Sequence, residues 1–222
     1  MKSERVFVSG GAGVIGNEIV SRLVERGAQV FVGDLKPRPK LFPSEIKYRQ
    51  GDLNTLTIEE LINFSPTIFI HLAATFERTT ESYDFWDENF WHNIRLSHHL
   101  MGLHKDLDCL KRVVFASSYL IYDSSHYQFK NPSKKPVILD ENTSIFPRNL
   151  TGMAKLAHEI ELNFLETFKS NQFTFVAARI FRGFGKNSRD VISRWVRAAL
   201  KNEVLKVFRA EGLFDYIYAA DT

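Results

Sequence analysis

Short apolar runs alternate with stretches of helical period almost from the first residue. A buried strand is predicted over 6–8, followed by a helix over 15–25 in which Ile15, Ile19 and Leu23 recur at helical spacing. Further strands are predicted over 29–32, 47–50, 67–72, 113–117 and 174–178, the fourth of these rich in β-branched residues. Long helices are predicted over 86–104 and 150–168. This alternation specifies an α/β fold: a doubly wound parallel sheet with helices on both faces and right-handed crossovers. Between Asp123 and Asn149 the chain carries Pro132, Pro136, Pro147 and several Ser and Asn residues, and it reads as a long loop of functional or mobile character. No internal repeat interrupts the pattern.

Composition narrows the class. The 222 residues, 44% of them hydrophobic, suffice for one substantial domain with room for a small appendage. No apolar run reaches about 18 residues, so no membrane span is expected. The opening Met1-Lys2-Ser3-Glu4-Arg5 leads straight into a strand, so no signal peptide is expected. Cys109 is the only cysteine and can form no internal disulfide, which points to a cytoplasmic protein. The formal charge of +3 is small. Its basic clusters (Lys36, Arg38 and Lys40; Lys134 and Lys135; Arg189, Arg194, Arg197 and Lys201) are scattered over the sequence. They read as solvated surface or as contacts for anionic small molecules, not as the continuous basic face that nucleic acid requires. Among the seven histidines, His98 and His99 point to different helix faces and His92 lacks a metal-spaced partner. They read as surface residues, His71 as structural, and no metal site is expected.

The strongest chemical signal follows the first strand. Ser9-Gly10-Gly11-Ala12-Gly13-Val14-Ile15-Gly16 places Gly10, Gly13 and Gly16 in a G-x-x-G-x-x-G pattern between a strand and a helix. Glycine permits the tight turn and lets the backbone approach a pyrophosphate. The helix N-terminus, at Val14 and Ile15, then offers free N–H groups and the positive end of its dipole. Asp34 ends the second strand, about 20 residues after the glycines, where a carboxylate accepts from ribose hydroxyls and repels a ribose phosphate. That favours NAD over NADP. Lys36 and Arg38 argue more weakly for NADP.

Gly10 to Gly16, Asp34, Asp52-Leu53 and His71-Leu72-Ala73-Ala74 together resemble the extended short-chain dehydrogenase/reductase family, in particular its NAD-dependent epimerase/dehydratase branch. The resemblance continues through Asn93-Ile94, Phe115-Ala116-Ser117-Ser118, Tyr122, Lys155 and Arg179, and ends in Asp215-Tyr216-Ile217-Tyr218-Ala219-Ala220-Asp221. It implies a Rossmann NAD-binding domain over 1–178 and the start of a substrate-binding region over 179–222. Family members continue past the segment matching Asp221, so the second part is expected to be incomplete. The resemblance also implies that Asp52 and Leu53 lie by the adenine, and that Leu72, Ala73 and Ala74 line the cofactor's pyrophosphate and ribose side. It implies that Asn93 supports the active-site lysine through water, and that Ser118 hydrogen-bonds the reacting hydroxyl. Lys155 is expected to bind the nicotinamide ribose. A nucleotide-sugar substrate follows from the same resemblance. So does a homodimer through the helices over 86–104 and 150–168, with Leu156, Ile160, Phe164 and Phe168 as the apolar stripe; the same stripe could instead face the sheet.

One position breaks the pattern. Four residues before the lysine the family carries a tyrosine whose phenol is the catalytic acid/base, and here the residue is Thr151. An alkyl hydroxyl is far less acidic than a phenol and cannot replace it unless something activates it. Thr151 could hold a water or do nothing, and Tyr119 could substitute or simply pack. Smaller departures are Asp123 for a glycine, Arg182 for a substrate-contacting asparagine, and Phe214 for a diphosphate-binding arginine. The exchange at Arg182 and Phe214 signals either a relocated anion site for substrate or a different substrate. Two functions therefore stand: an NAD-dependent nucleotide-sugar oxidoreductase of the epimerase/dehydratase type, or a non-catalytic NAD(P)-binding sensor or partner subunit.

Overall fold

The computed structural model describes residues 1–76, 81–131, 133, 135–169, 172–207 and 212–222. Lys134 and Pro132, singled out in the sequence, lie outside them. Six strands form one sheet: β1 (Arg5–Ser9), β2 (Gln29–Asp34), β3 (Lys47–Gln50), β4 (Ile68–His71), β5 (Arg112–Ser118) and β6 (Thr174–Ile180). Their order is β3-β2-β1-β4-β5-β6 and every pairing is parallel. This is the doubly wound arrangement that the strand–helix alternation predicts.

Side-chain alternation sorts the two faces of the sheet. Phe7 is in register with Phe31 on one side and Phe69 on the other, so a row of phenyl rings crosses three strands. Their centroids stand 5.0 and 5.6 Å apart. This face packs against Leu100, Met101 and Leu162 of the helices that follow β4 and β5. The opposite face carries Val6, Val8, Val30, Val32 and Ile70, against Val20 and Leu23 of α1 (Val14–Glu25). Branched aliphatics on one side and aromatics on the other leave the central strands covered twice, as a parallel sheet requires.

Thr57 and Glu60 form a reciprocal capping box that starts the short helix α2 (Ile58–Ile62). The predicted helix over 86–104 is continuous but not uniform. It comprises α3 (Trp86–Asn89), a π-helical segment (Phe90–Arg95) and α4 (Leu96–His104). Helix α5 (Leu150–Lys169) packs beside the π segment and α4. Past β6 the chain forms β7 (Arg182–Phe184), α6 (Val191–Leu200) and β8 (Tyr216–Tyr218), with β7 and β8 paired in parallel as a separate small sheet. None of these three elements is among those predicted from the sequence pattern. Yet α6 has Val191, Ile192, Trp195 and Val196 at helical spacing and Asp190 as its N-cap, accepting from the Ser193 N–H at 2.9 Å. Among the described residues no helix is long and apolar enough to cross a membrane.

The histidines require a correction. His104 and His158 are core residues, not surface ones. His104 lies flat against Phe69, with ring centroids 4.0 Å apart, and its Nδ1 pairs with the Leu100 carbonyl at 2.7 Å. A flat, half-apolar ring fits the aromatic layer, and burial pushes its pKa down to about 4, only partly offset by the Leu100 contact. His71 is fully buried between Ser9 Oγ (2.6 Å) and Ser97 Oγ (2.8 Å), the structural position expected of it.

Candidate active site

The sheet order reverses at β1, between its neighbours β2 and β4, and the carboxyl ends of β1 to β5 open on one edge there. Gly10 leaves β1 at φ +77°, in the left-handed region that favours glycine. A Cβ on Gly10 would lie 2.6 Å from the Ala73 nitrogen, and one on Gly16 would lie 2.4 Å from the Gly10 carbonyl oxygen. Both obstacles are backbone, so neither side chain can be accommodated without moving the loop. Gly13 is the N-cap of α1 and supplies no side-chain cap, which leaves the donors at Val14 and Ile15 open to a ligand. A glycine cradle closed against Ala73 and an uncapped helix start together fit the pyrophosphate of a dinucleotide.

Asp34 sits beside this cradle, buried at the end of β2. Its Oδ2 accepts from the Ala12 N–H and its Oδ1 from the Lys36 N–H, both at 2.9 Å. These bonds orient the carboxylate, and each oxygen keeps capacity for a second donor such as a ribose hydroxyl. Arg38 is committed elsewhere: Nη1 donates to the Ile46 carbonyl at 2.9 Å and Nη2 to that of Pro43.

Other cofactor-side residues divide by role. Asp52 caps the single turn Leu53–Thr55 and accepts from Asn54 N and from the Trp91 indole, each at 2.9 Å. Burial raises its pKa, but the Trp91 and Asn54 hydrogen bonds outweigh that and hold it below the usual carboxylate range. Leu53 is a core side chain lying under Gly33, so only its backbone is available to a ligand. Leu72 and Ala73 are half-buried behind the cradle, with the Leu72 N–H bonded to the Ser9 carbonyl at 3.0 Å, and Ala74 follows them. Asn93 clamps the next residue, Thr75: Oδ1 accepts from its N–H at 2.8 Å and Nδ2 donates to its carbonyl at 3.0 Å. Among the described residues these bonds and one to Asn89 occupy the Asn93 amide, and none reaches Lys155.

β5 and α5 bring Ser118, Thr151 and Lys155 to the same sheet edge. Asn149 caps α5 by accepting from the Gly152 N–H at 2.9 Å. Gly152 lets the helix approach the 119–121 turn, since a Cβ there would lie 2.3 Å from the Leu120 carbonyl oxygen. Ser118 Oγ accepts from Leu120 N at 3.2 Å and retains its proton for donation. Lys155 Nζ donates to the Ala116 carbonyl at 2.7 Å, two residues before Ser118. Burial in this dry position pulls its pKa down to about 8. Thr151 faces inward and is 1% exposed.

Sequence reasoning missed the support beneath these residues. Glu159, one helical turn after Lys155 on the same face of α5, accepts from Ser117 Oγ and pairs with Arg179 of β6 at 2.9 Å. Arg179 also donates to the Tyr122 hydroxyl at 3.2 Å, so that phenol belongs to the clamp. Spacing of i,i+4 from Lys155 was the available signal. Tyr119, the other candidate phenol, stacks on Phe181 at 5.3 Å and meets Tyr127 edge-on at 5.3 Å.

A parallel sheet of this order with a glycine cradle at its reversal defines a dinucleotide-binding α/β protein. The chain belongs to the NAD dependent epimerase/dehydratase family, whose model matches residues 6–222. It is 24% identical to a putative UDP-glucose 4-epimerase of Methanocaldococcus jannaschii, over 97% of this chain and 70% of that protein. Among solved structures it is similar to UDP-N-acetylglucosamine 4-epimerase from Methanobrevibacter ruminantium M1 in complex with UDP-N-acetylmuramic acid. That match has 25% identity and a TM-score of 0.80, covering 99% of this chain and 70% of the other. It is also similar to MoeE5 in complex with UDP-glucose and NAD, at 26% identity and a TM-score of 0.77, covering 97% and 68%.

Proposed function

We propose that this chain carries out NAD-dependent oxidation and reduction of a nucleotide sugar, in the manner of an epimerase/dehydratase. The carrying observation is that Ser118 and Lys155 converge on the sheet edge that also bears the Gly10–Gly16 cradle. When bound, the nicotinamide cofactor supplies the hydride acceptor. Gly10, Gly13 and Gly16 with the open start of α1 would hold its pyrophosphate, and Asp34 its adenosine ribose. With Arg38 engaged by two carbonyls, a ribose phosphate gains no counter-charge from it, which supports NAD over NADP. Ser118 donates its free O–H to the reacting oxygen. Lys155, now bonded to the Ala116 carbonyl, would hold the nicotinamide ribose. The Tyr122 phenol is held by Arg179, so the proton leaves through water or through Tyr119, whose ring is packed on Phe181 beside Ser118. UDP-sugars in the solved relatives support the substrate class.

A second reading, a cofactor-binding protein without turnover, is favoured by the burial of Thr151 where the family's phenol belongs. Conversion of a panel of UDP-sugars in the presence of NAD, read by product analysis, separates the two, assayed for the native chain and for Thr151→Tyr. General acid–base catalysis contributes roughly 10²–10⁴-fold, so the substitution should raise the rate at least ~100-fold. Absence of any product from both proteins, with NAD binding shown by calorimetry, favours the second reading.

We further propose an isologous homodimer through α5 and the π segment. The stripe at Ile160, Phe164 and Phe168 faces away from the sheet, with Phe164 63% and Phe168 80% exposed. Phe90 and Trp91 on the neighbouring segment are also exposed.

A further inference from the structure

The small sheet of β7 and β8 carries a cation that the described structure leaves unmatched. Arg182 opens β7, two residues after Ile180, which is the register partner of Ser118 in the main sheet. The chain therefore leaves the main sheet beside the candidate catalytic serine, two residues before Arg182. Three residues on, a Cβ at Gly185 would lie 3.5 Å from Val14 Cγ1 and 2.9 Å from Ala219 Cβ. This same segment is thus seated over the start of α1, at the rim of the phosphate cradle.

The Arg182 guanidinium lies over the Phe214 ring, 4.3 Å from its centroid. Among the described residues it has no ion pair and no side-chain hydrogen bond. Phe214 is itself 49% exposed, so the ring serves as a platform for the guanidinium and not as a core residue. Contact with the ring holds the guanidinium in place while its N–H groups stay without a partner among the described residues, which leaves them available to an oxyanion. The surrounding stretch is strongly basic. Residues 179–201 hold seven Lys or Arg and one acid, Asp190. Asp190 is spent on capping α6, and Arg179 is already matched by Glu159. Among the described residues Arg182 itself therefore has no acidic partner.

We propose that Arg182, held over the Phe214 ring, is the group that grips the diphosphate of the nucleotide-sugar substrate. The inference rests on the nucleotide-sugar reading above. The two residues work as a pair: Phe214 positions, Arg182 binds. A phosphate diester chain between nucleoside and sugar matches the fork of the guanidinium better than a neutral sugar does.

The test is calorimetric titration of UDP, and separately of uridine, into the NAD-loaded protein. The native chain should bind UDP and fail to bind uridine. Arg182→Gln should weaken UDP roughly 10- to 100-fold, the range for a hydrogen bond to a charged group, with NAD affinity unchanged. Phe214→Leu, which keeps the charge and removes the platform, should weaken it roughly 2- to 5-fold. Unchanged UDP affinity in Arg182→Gln would overturn the assignment alone. A native chain that binds NAD but not UDP would overturn the nucleotide-sugar reading and this one with it. Loss of NAD binding by a folded Arg182→Gln would also overturn it, because the guanidinium would then serve the cofactor.

Discussion

Gly152→Ala sets two physical effects of opposite sign against each other. Within a helix, alanine is favoured over glycine by about 1 kcal/mol. The structure opposes this. The new Cβ would stand 2.3 Å from the Leu120 carbonyl oxygen and 2.9 Å from its carbon. A close carbon–oxygen contact is about 3.3 Å, so α5 and the 119–121 turn must separate by roughly 1 Å. The carbonyl cannot swing aside cheaply, because it also accepts from the Arg148 N–H at 3.0 Å. Overpacking of this kind costs about 1–3 kcal/mol, which cancels or exceeds the propensity gain and leaves a net loss of up to ~2 kcal/mol. For a chain of this size that lowers Tm by up to roughly 8 °C. The functional loss should be larger, since displacement by ~1 Å of groups at a site costs about 100-fold, and α5 carries Lys155. Gly102→Ala is the control: it lies in α4 with nothing within 4 Å of a new Cβ, and should stabilise by about 1 kcal/mol. Thermal denaturation and NAD titration of both variants make the comparison. If Gly152→Ala rises in Tm as Gly102→Ala does, and binds NAD unchanged, the close approach is not what positions α5.

Three further outcomes are expected. His104 has its pKa lowered from 6.5 to about 4, so its neutral burial stabilises the fold fully above pH 6.5 and less as pH falls towards 4. Between pH 7 and 5 that is a loss of about 2 kcal/mol; His104→Leu should flatten the acid limb of a Tm–pH curve by roughly 4–8 °C, and an unaltered limb would contradict the assignment. NAD should raise Tm more than NADP at equal concentration, with Asp34→Ala narrowing the gap; equal stabilisation of the native chain by NADP would remove the case for Asp34. Light scattering at micromolar concentration should report a dimer for the native chain and a monomer for Phe164→Glu, and a monomeric native chain would refute the proposed interface.

Much of this protein is legible without coordinates because the relevant information is local. The alternation of Val6-Phe7-Val8 and Phe69-Ile70 prescribes a sheet covered on both faces, and the glycine spacing from Gly10 to Gly16 prescribes a turn that only a small residue completes. Thr151, at the position of the absent phenol, is read from sequence alone. What the sequence could not supply are contacts between segments far apart in it. Asn93 belongs to Thr75, and Lys155 reaches a carbonyl 39 positions earlier. Arg182 finds its platform 32 residues on, at Phe214. His104 and His158 are buried because helices α4 and α5 happen to turn those faces to the aromatic side of the sheet, and a histidine gives no local sign of which way it will face. Periodicity is written residue by residue. Partner choice among buried polar groups is settled only when the sheet order brings the strand ends together, because a hydrogen bond forms between whichever donor and acceptor the packing leaves without water.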